Sequence, residues 1–349
     1  MKSLPTFLLR TCALALCSAT IVFLVACKHS GGKVLEVAYV SGVEVNLRNR
    51  VAAAYEKAGL VKNGDRVEVL DHDRRFAKVR TATGQMGWME QRYLVSQQVF
   101  DQLQKLTADN ANDPVQAQGV TRNDTNLHVE PGRETEHLYQ ILSGEKLALL
   151  KRGTAAKPGV VAAPAKTSAS GEKKEATAAL EDWWLVRDSH GRVGWVLGRM
   201  IDSDVPLEGA QYAEGQRIVA FFVLNQVQDE DRKVGQYLTV LTEAKDGLPF
   251  DFNQFRVFTW NVRRHRYETA YRERIEGMLP VKVAQEDFGK EGVLPVFTIH
   301  VLDDNGNITE RKYKLNTPIV RRVYAPGEEP VHAAPRKAAA SKRTARRRL

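Results

Sequence analysis

The sequence predicts an all-β chain. Three observations carry this: short segments alternate apolar and polar residues with period two, one order of strands and turns occurs twice, and residues 210–325 string β-branched and aromatic runs between turn signals. With 349 residues, 43% hydrophobic and 27% charged, the chain is long enough for two or three domains with their own cores. The net charge of +9 sits at the ends, in Lys2, Arg10 and the basic residues beyond Pro335, so residues 28–335 are neutral overall. A neutral folded part was not built as a nucleic-acid footprint, and no specific nucleic-acid partner is expected.

Residues 1–26 begin with Lys2 and Arg10, continue apolar from Cys12 to Ala26, and give way to Lys28, His29 and Ser30. A charged start, an apolar middle and a polar exit make a secretory signal. The ending "LVAC", Leu24–Cys27, resembles the lipobox of bacterial lipoproteins. That resemblance implies cleavage after residue 26, acylation of Cys27 and attachment to a membrane by its lipid. With Lys28 rather than an aspartate next, it implies the outer membrane facing the periplasm if the envelope is Gram-negative. An uncleaved anchor helix is the alternative. Cys12 and Cys17 leave with the signal, so the mature domains have neither a disulfide nor a free thiol.

The repeat explains the stretch "DWWLVRDSHGRVGWV" at 182–196, where Asp188, Ser189 and His190 mimic the letters of a hydrolase. Asn46-Leu47 and Asn126-Leu127 lie 80 positions apart, as do "GDRVEVL" at 64–70 and "GEKLALL" at 144–150. Phe76, Val79, Gly84, Gly87 and Trp88 then face Trp184, Val186, Gly191, Gly194 and Trp195. In this frame Asp188-Ser189-His190-Gly191 takes the place of Thr81-Ala82-Thr83-Gly84, a turn with none of the three residues. Adjacent turn residues bond the local backbone and cannot converge as a triad must.

The order N-L-R, G-x-x-V-x-V, aromatic-x-x-V-R, turn, G-W resembles the bacterial SH3 domain, over 36–96 and again over 119–204. The resemblance implies two small SH3-like barrels. Neither copy has the "ALYDY" stretch that lines a proline-peptide groove. The second copy is interrupted at about 153–179 by an Ala/Lys/Pro-rich segment read as a disordered loop. Between the barrels, residues 97–118 are a linker with a short helix carrying Val99, Leu103 and Leu106. Residues 210–325 form an antiparallel meander or sandwich with Asn305-Gly306 at a hairpin, and 326–349 a disordered basic tail.

The expected function is binding at the cell envelope. Many exported bacterial SH3 domains contact peptidoglycan or its stem peptides, and the resemblance implies the same here. The alternatives are a structural or assembly subunit that binds envelope proteins, and an envelope hydrolase with an unrecognised site in 210–325. Trp88, Tyr93, Tyr139, Trp183 and Trp195 are the candidate ligand-binding aromatics, with Trp88 and Trp195 open to a core role. Arg263, Arg264 and Arg266, among Trp260, Tyr267 and Tyr271, are candidates for an anion, or else a hairpin whose arginines pair with Glu268, Glu273 and Glu276. The eight histidines are scattered, with no HExxH, GxSxG or phosphate-loop pattern. The sequence therefore predicts no cofactor, no metal and no enzyme.

Overall fold

A computed structural model describes residues 33–159, 179–303, 305–324 and 327. The leader with Cys27, most of the segment read as a disordered loop, and the basic tail lie outside the described residues. The chain divides into two compact units, one holding residues up to Val40 and Glu44–Leu94, the other Ser41–Val43 and Val95 onward. The fold is all-β: three antiparallel seven-stranded sheets account for nearly all of it. Among the described residues no helix is long and apolar enough to cross a membrane.

The N-terminal unit contains β1 (Glu36–Val40), β2 (Glu44–Arg48), β3 (Lys57–Lys62), β4 (Arg66–Asp73), β5 (Phe76–Thr81), β6 (Met86–Glu90) and the start of β7 (Leu94–Ser96), ordered β3-β2-β6-β5-β4-β1-β7. Alternation along these strands sends Val45, Leu47, Val67, Val69, Val79 and Met89 into one core. The turn between β5 and β6 is closed by Gly84 N–H on Thr81 O at 3.0 Å, with Gly84 at φ +82°. Gly87 is required by packing rather than by dihedral angle. A Cβ there would stand 2.7 Å from Leu47 Cβ and 3.1 Å from Arg48 O, so β6 can cross β2 this closely only as glycine.

The C-terminal unit begins with α1 (Gln97–Asp109), followed by β8 (Ala117–Thr121), β9 (Thr125–His128), β10 (His137–Ile141), β11 (Lys146–Ala156), β12 (Leu180–Arg187), β13 (Val193–Leu197) and β14 (Ile201–Ser203). Their order, β10-β9-β13-β12-β11-β8-β14, repeats that of the first sheet strand for strand. Gly194 meets Leu127 as Gly87 meets Leu47, with 2.9 Å from a built Cβ to Leu127 Cβ. The motif pair Asn-Leu and Gly-Trp is thus the signature of one close strand crossing made twice. One register is corrected. Val79 pairs with Gly87 and Val186 with Gly194, which carries Phe76 onto Trp183 and not onto Trp184.

Within the linker the expected short helix, Gln97–Asp109, packs on the fold: Val99 and Leu103 are buried, and Leu106 packs with Val115 and Trp195 on Leu150, Leu185 and Val193. Arg187 donates to the carbonyls of Asn110 (2.7 Å) and Ala111 (2.9 Å), placing a cation at the negative end of the helix. The loop starts later than 153, since β11 pairs with β12 from Ala148↔Arg187 out to Ala156↔Leu180. Lys157 N–H then bonds Ala179 O at 2.8 Å. Because the hairpin is paired to its end, excising 160–178 and joining the strands by a short turn is expected to keep a single cooperative thermal transition. Loss of that transition would show that the segment packs.

A helical turn, Leu207–Ala210, leads to β15 (Arg217–Asp229), β16 (Arg232–Thr242), β17 (Phe252–Asn261), β18 (Arg266–Asp287), β19 (Val293–Leu302), β20 (Ile308–Asn316) and β21 (Ile319–Val323). These pair strictly in sequence order, a meander. Phe255, Phe297 and Tyr313 form its aromatic core, with Phe297 stacked on Tyr313 at 5.1 Å. Glu273 accepts from the hydroxyls of Tyr271 and Tyr313, both at 2.8 Å, and pairs with Arg311 at 3.0 Å.

The meander is joined to the second sheet by buried polar groups. Gln116, fully buried, accepts from Val281 N at 2.7 Å and donates to Val281 O at 3.3 Å, while its own carbonyl accepts from Phe221 N at 2.9 Å. Arg152 donates to Asp182 (2.6 Å), Asp251 (3.2 Å) and the carbonyls of Leu248 and Phe250. The meander and the second sheet belong to one compact unit.

Candidate functional site

The five candidate aromatics do not converge. Trp88 and Tyr93 belong to the N-terminal unit, where Trp88 is half-buried and Tyr93 packs on the core beneath Arg92. Tyr139, Trp183 and Trp195 belong to the second barrel. Tyr139 is buried under the Arg192 guanidinium, 4.3 Å from its ring, and Trp195 lies half-buried against Gly153 and Pro131. Trp183 lines a cavity of about 220 Å³, together with Asp124, Thr125, Asn126, His128, Arg133, Leu197 and Met200.

The strands position this cavity. Trp183 is on β12 opposite Leu197 of β13, and His128 ends β9 opposite Trp195. His128 meets the Trp183 ring edge-on at 5.1 Å and lies 5.0 Å from the His137 ring. Burial, with His137 nearby, lowers the His128 pKa to about 4, so the imidazole is neutral near pH 7. Its Nδ1 is 3.2 Å from Thr135 O and 3.0 Å from Thr135 Oγ1. The cation nearby is already used: Arg133 grips the buried Glu181 through Nε at 2.7 Å and through Nη2. Trp183, 2% exposed, has no hydrogen-bond partner for its Nε1–H.

A stability consequence follows from His128. The unfolded histidine takes up a proton near pH 6.5 and the folded one only near 4, so the unfolded state binds more protons between these values. Stability is accordingly complete above pH 6.5 and is lost on acidification towards pH 4, by up to roughly 3 kcal/mol from this residue. His128→Gln is expected to flatten the fall in urea midpoint between pH 7 and pH 4. An unchanged slope would place the titration elsewhere.

A larger hollow of about 780 Å³ lies on the meander, with Glu243, Asn253, Arg274, Glu276, Asp303 and Arg311 in its lining. Several of its polar groups are engaged locally: Arg311 with Glu273, Glu243 with Asn253, and Asp303 with the amides of Asn305 and Asn307. The arginine cluster forms a hairpin end outside this lining. Arg264 and Arg266 share Glu268, at 3.2 and 3.3 Å, and Arg263 is exposed. Asn261 first, then Arg266 and Arg264, hold the Glu268 carboxyl below its usual range. His265, in the left-handed region, bonds Asp229 beside Trp260, whose Nε1–H donates to the same carboxylate at 2.9 Å.

Asp188, Ser189 and His190 occupy the β12–β13 turn. Asp188 accepts from the amides of His190 and Arg192, both at 2.9 Å, and from Arg192 Nε at 2.6 Å. Its carboxylate is thereby committed to holding the turn. Among the described residues no group of three His, Cys, Asp or Glu could hold a metal ion.

Residues 41–95 match the model of the bacterial SH3 domain family. No curated protein matches the sequence. Among solved structures, the chain is similar to an NlpC/P60 family protein from Bacillus cereus, with 12% identity over 83% of this chain and 100% of that one, at a TM-score of 0.23. It is similar also to NlpC1 from Trichomonas vaginalis, with 11% identity over 86% and 94% of the two chains and a TM-score of 0.18. NlpC2 from the same organism aligns with 11% identity over 82% and 95%, at 0.16. The expectation that the chain is not an enzyme is contradicted by these whole-chain matches to NlpC/P60 family proteins and is not retained. That expectation rested on missing motifs, and a motif scan tests only for constellations already known. TM-scores this low transfer no catalytic residue, substrate or superposition.

His128 and Arg133 are not among the site residues expected from the sequence. A signal was present, because His128 stands directly after the repeated Asn-Leu, where the first copy has Arg48.

Proposed function

We propose that this chain is a cell-envelope protein that grips peptidoglycan through its bacterial SH3 domain and through the second barrel, which we read as a second copy. The observation that carries this is the family match at 41–95 together with a second sheet of identical strand order. Bacterial SH3 domains typically bind peptidoglycan. Two weak sites on one chain raise the effective concentration of the second once the first is engaged, so neither needs high affinity. Acylated Cys27 would tether the chain at the membrane and hold both barrels near the wall.

The test is co-sedimentation of the full chain with purified sacculi. Retention in the pellet is expected, and full recovery in the supernatant would leave the assembly-subunit reading in its place. Soluble wall fragments released in the same tubes would replace binding with hydrolysis. For the anchor, Cys27→Ala expressed in a bacterium is expected to leave the detergent phase. A mutant that stays in the membrane, with no acyl mass on the wild type, would instead support an uncleaved helix.

A further inference from the structure

The two barrels fill one place differently. In the first, Arg48, opposite Trp88, lies 4.2 Å from the Tyr55 ring centroid and 5.0 Å from that of Phe76, and is 3.5 Å from Glu90. A guanidinium, two aromatic rings and a counter-carboxylate share this place. In the second, the registers put His128 in the place of Arg48, Trp183 in that of Phe76 and Leu197 in that of Glu90. The cation and its carboxylate are gone together, and the 220 Å³ cavity stands beside these residues.

We infer that this cavity binds an uncharged secondary amide. The donors and acceptors around it have that complementarity. The Thr135 hydroxyl is spent on the carbonyls of Glu130 (2.8 Å) and Gly132 (2.7 Å), so its oxygen accepts and His128 Nδ1 carries the hydrogen. In the neutral ring Nε2 is then an acceptor, while Trp183 supplies an unpartnered N–H. A secondary amide presents one C=O and one N–H on a planar unit, a match for one donor and one acceptor beside an aromatic ring. An anionic ligand has no free counter-ion, because Arg133 is held by Glu181. In a cell wall such amides occur as the 2-acetamido groups of the glycan and as the peptide bonds of the stem. Only the choice of wall as their source rests on the proposed function.

The experiment is an NMR titration of the full chain in detergent, following the tryptophan indole N–H signals, with the Trp183 signal assigned by its loss in Trp183→Phe. The probes are a trimer of N-acetylglucosamine, a glucose trimer without the acetamido groups, and N-acetyl-alanyl-alanine amide. A saturable shift of the Trp183 signal is expected with the first or the third, the responding probe identifying the source, and none with glucose. Trp183→Phe keeps a ring but removes the donor, and should weaken binding about tenfold, the loss of one hydrogen bond. If that variant does not fold, His128→Phe tests the acceptor, and the saturable indole shift seen with the amide probe should be lost or weakened about tenfold. No shift with either amide, or an equal shift with glucose, overturns the inference. Sacculus binding without an amide shift would sink this site alone, whereas an amide shift without sacculus binding would sink the wall reading alone.

Discussion

Replacing Arg152 with alanine is expected to destabilise the C-terminal unit by about 3–5 kcal/mol, the cost of leaving buried charge without its partner. The guanidinium is 6% exposed and stands between Asp182 and Asp251, themselves only 9% and 8% exposed. Burial already raises the Asp251 carboxyl above its usual range in spite of Arg152 and the amide of Leu279. Without the arginine, Asp251 has no cation and Asp182 keeps only the half-exposed Arg217 at 3.4 Å, while the carbonyls of Leu248 and Phe250 lose their donor as well. Urea denaturation measures the loss, and Asp251→Asn in the Arg152→Ala background should recover part of it. A loss below about 1 kcal/mol would mean that the clamp is solvated and works as a surface pair.

Gly277→Ala should have the next largest effect. The Gly277 carbonyl accepts from Asp251 N at 2.9 Å, and the residue pairs with Phe252 on one side and Val301 on the other. An added Cβ would overlap the ring of Phe252, which is fully buried among other core residues and cannot swing away. Overpacking of this kind costs about 1–3 kcal/mol, and a rigid neighbour places this site at the upper end. Thermal unfolding is the readout. Tolerance of alanine would show that β18 can shift against β17, and the Phe252→Leu, Gly277→Ala pair should then gain nothing over the single variant.

Much of the architecture was legible because each of the first two sheets writes its own close strand crossing into the sequence. Leu47 over Gly87 and Leu127 over Gly194 are close contacts that need a glycine, so Asn-Leu and Gly-Trp return at matching places. The meander was legible from β-branched runs and the Asn305-Gly306 turn. The joint between meander and second barrel was not, since Gln116 bonds a residue 165 positions away and Arg152 one 99 away, and no local pattern announces such partners. Letter matching set Trp184 against Phe76, whereas strand pairing sets Trp183 there. A shift of one residue reverses the face of a strand, so the error bears on which indole reaches the cavity. His128 was passed over because a lone histidine has no spacing to flag it. Its role depends on Trp183 and Thr135, brought together by the fold.

The central claim is that the barrels, and not the basic ends, hold the cell wall. It is tested most directly by the salt dependence of sacculus binding, comparing the full chain with a chain ending at Tyr324. Adhesion through the cationic residues beyond Pro335 would be screened as the Debye length shrinks, whereas contacts to neutral amides and sugar faces would not. The account predicts that both chains sediment with sacculi and remain bound in moderate salt. Sedimentation of the full chain alone, released by salt, would contradict it.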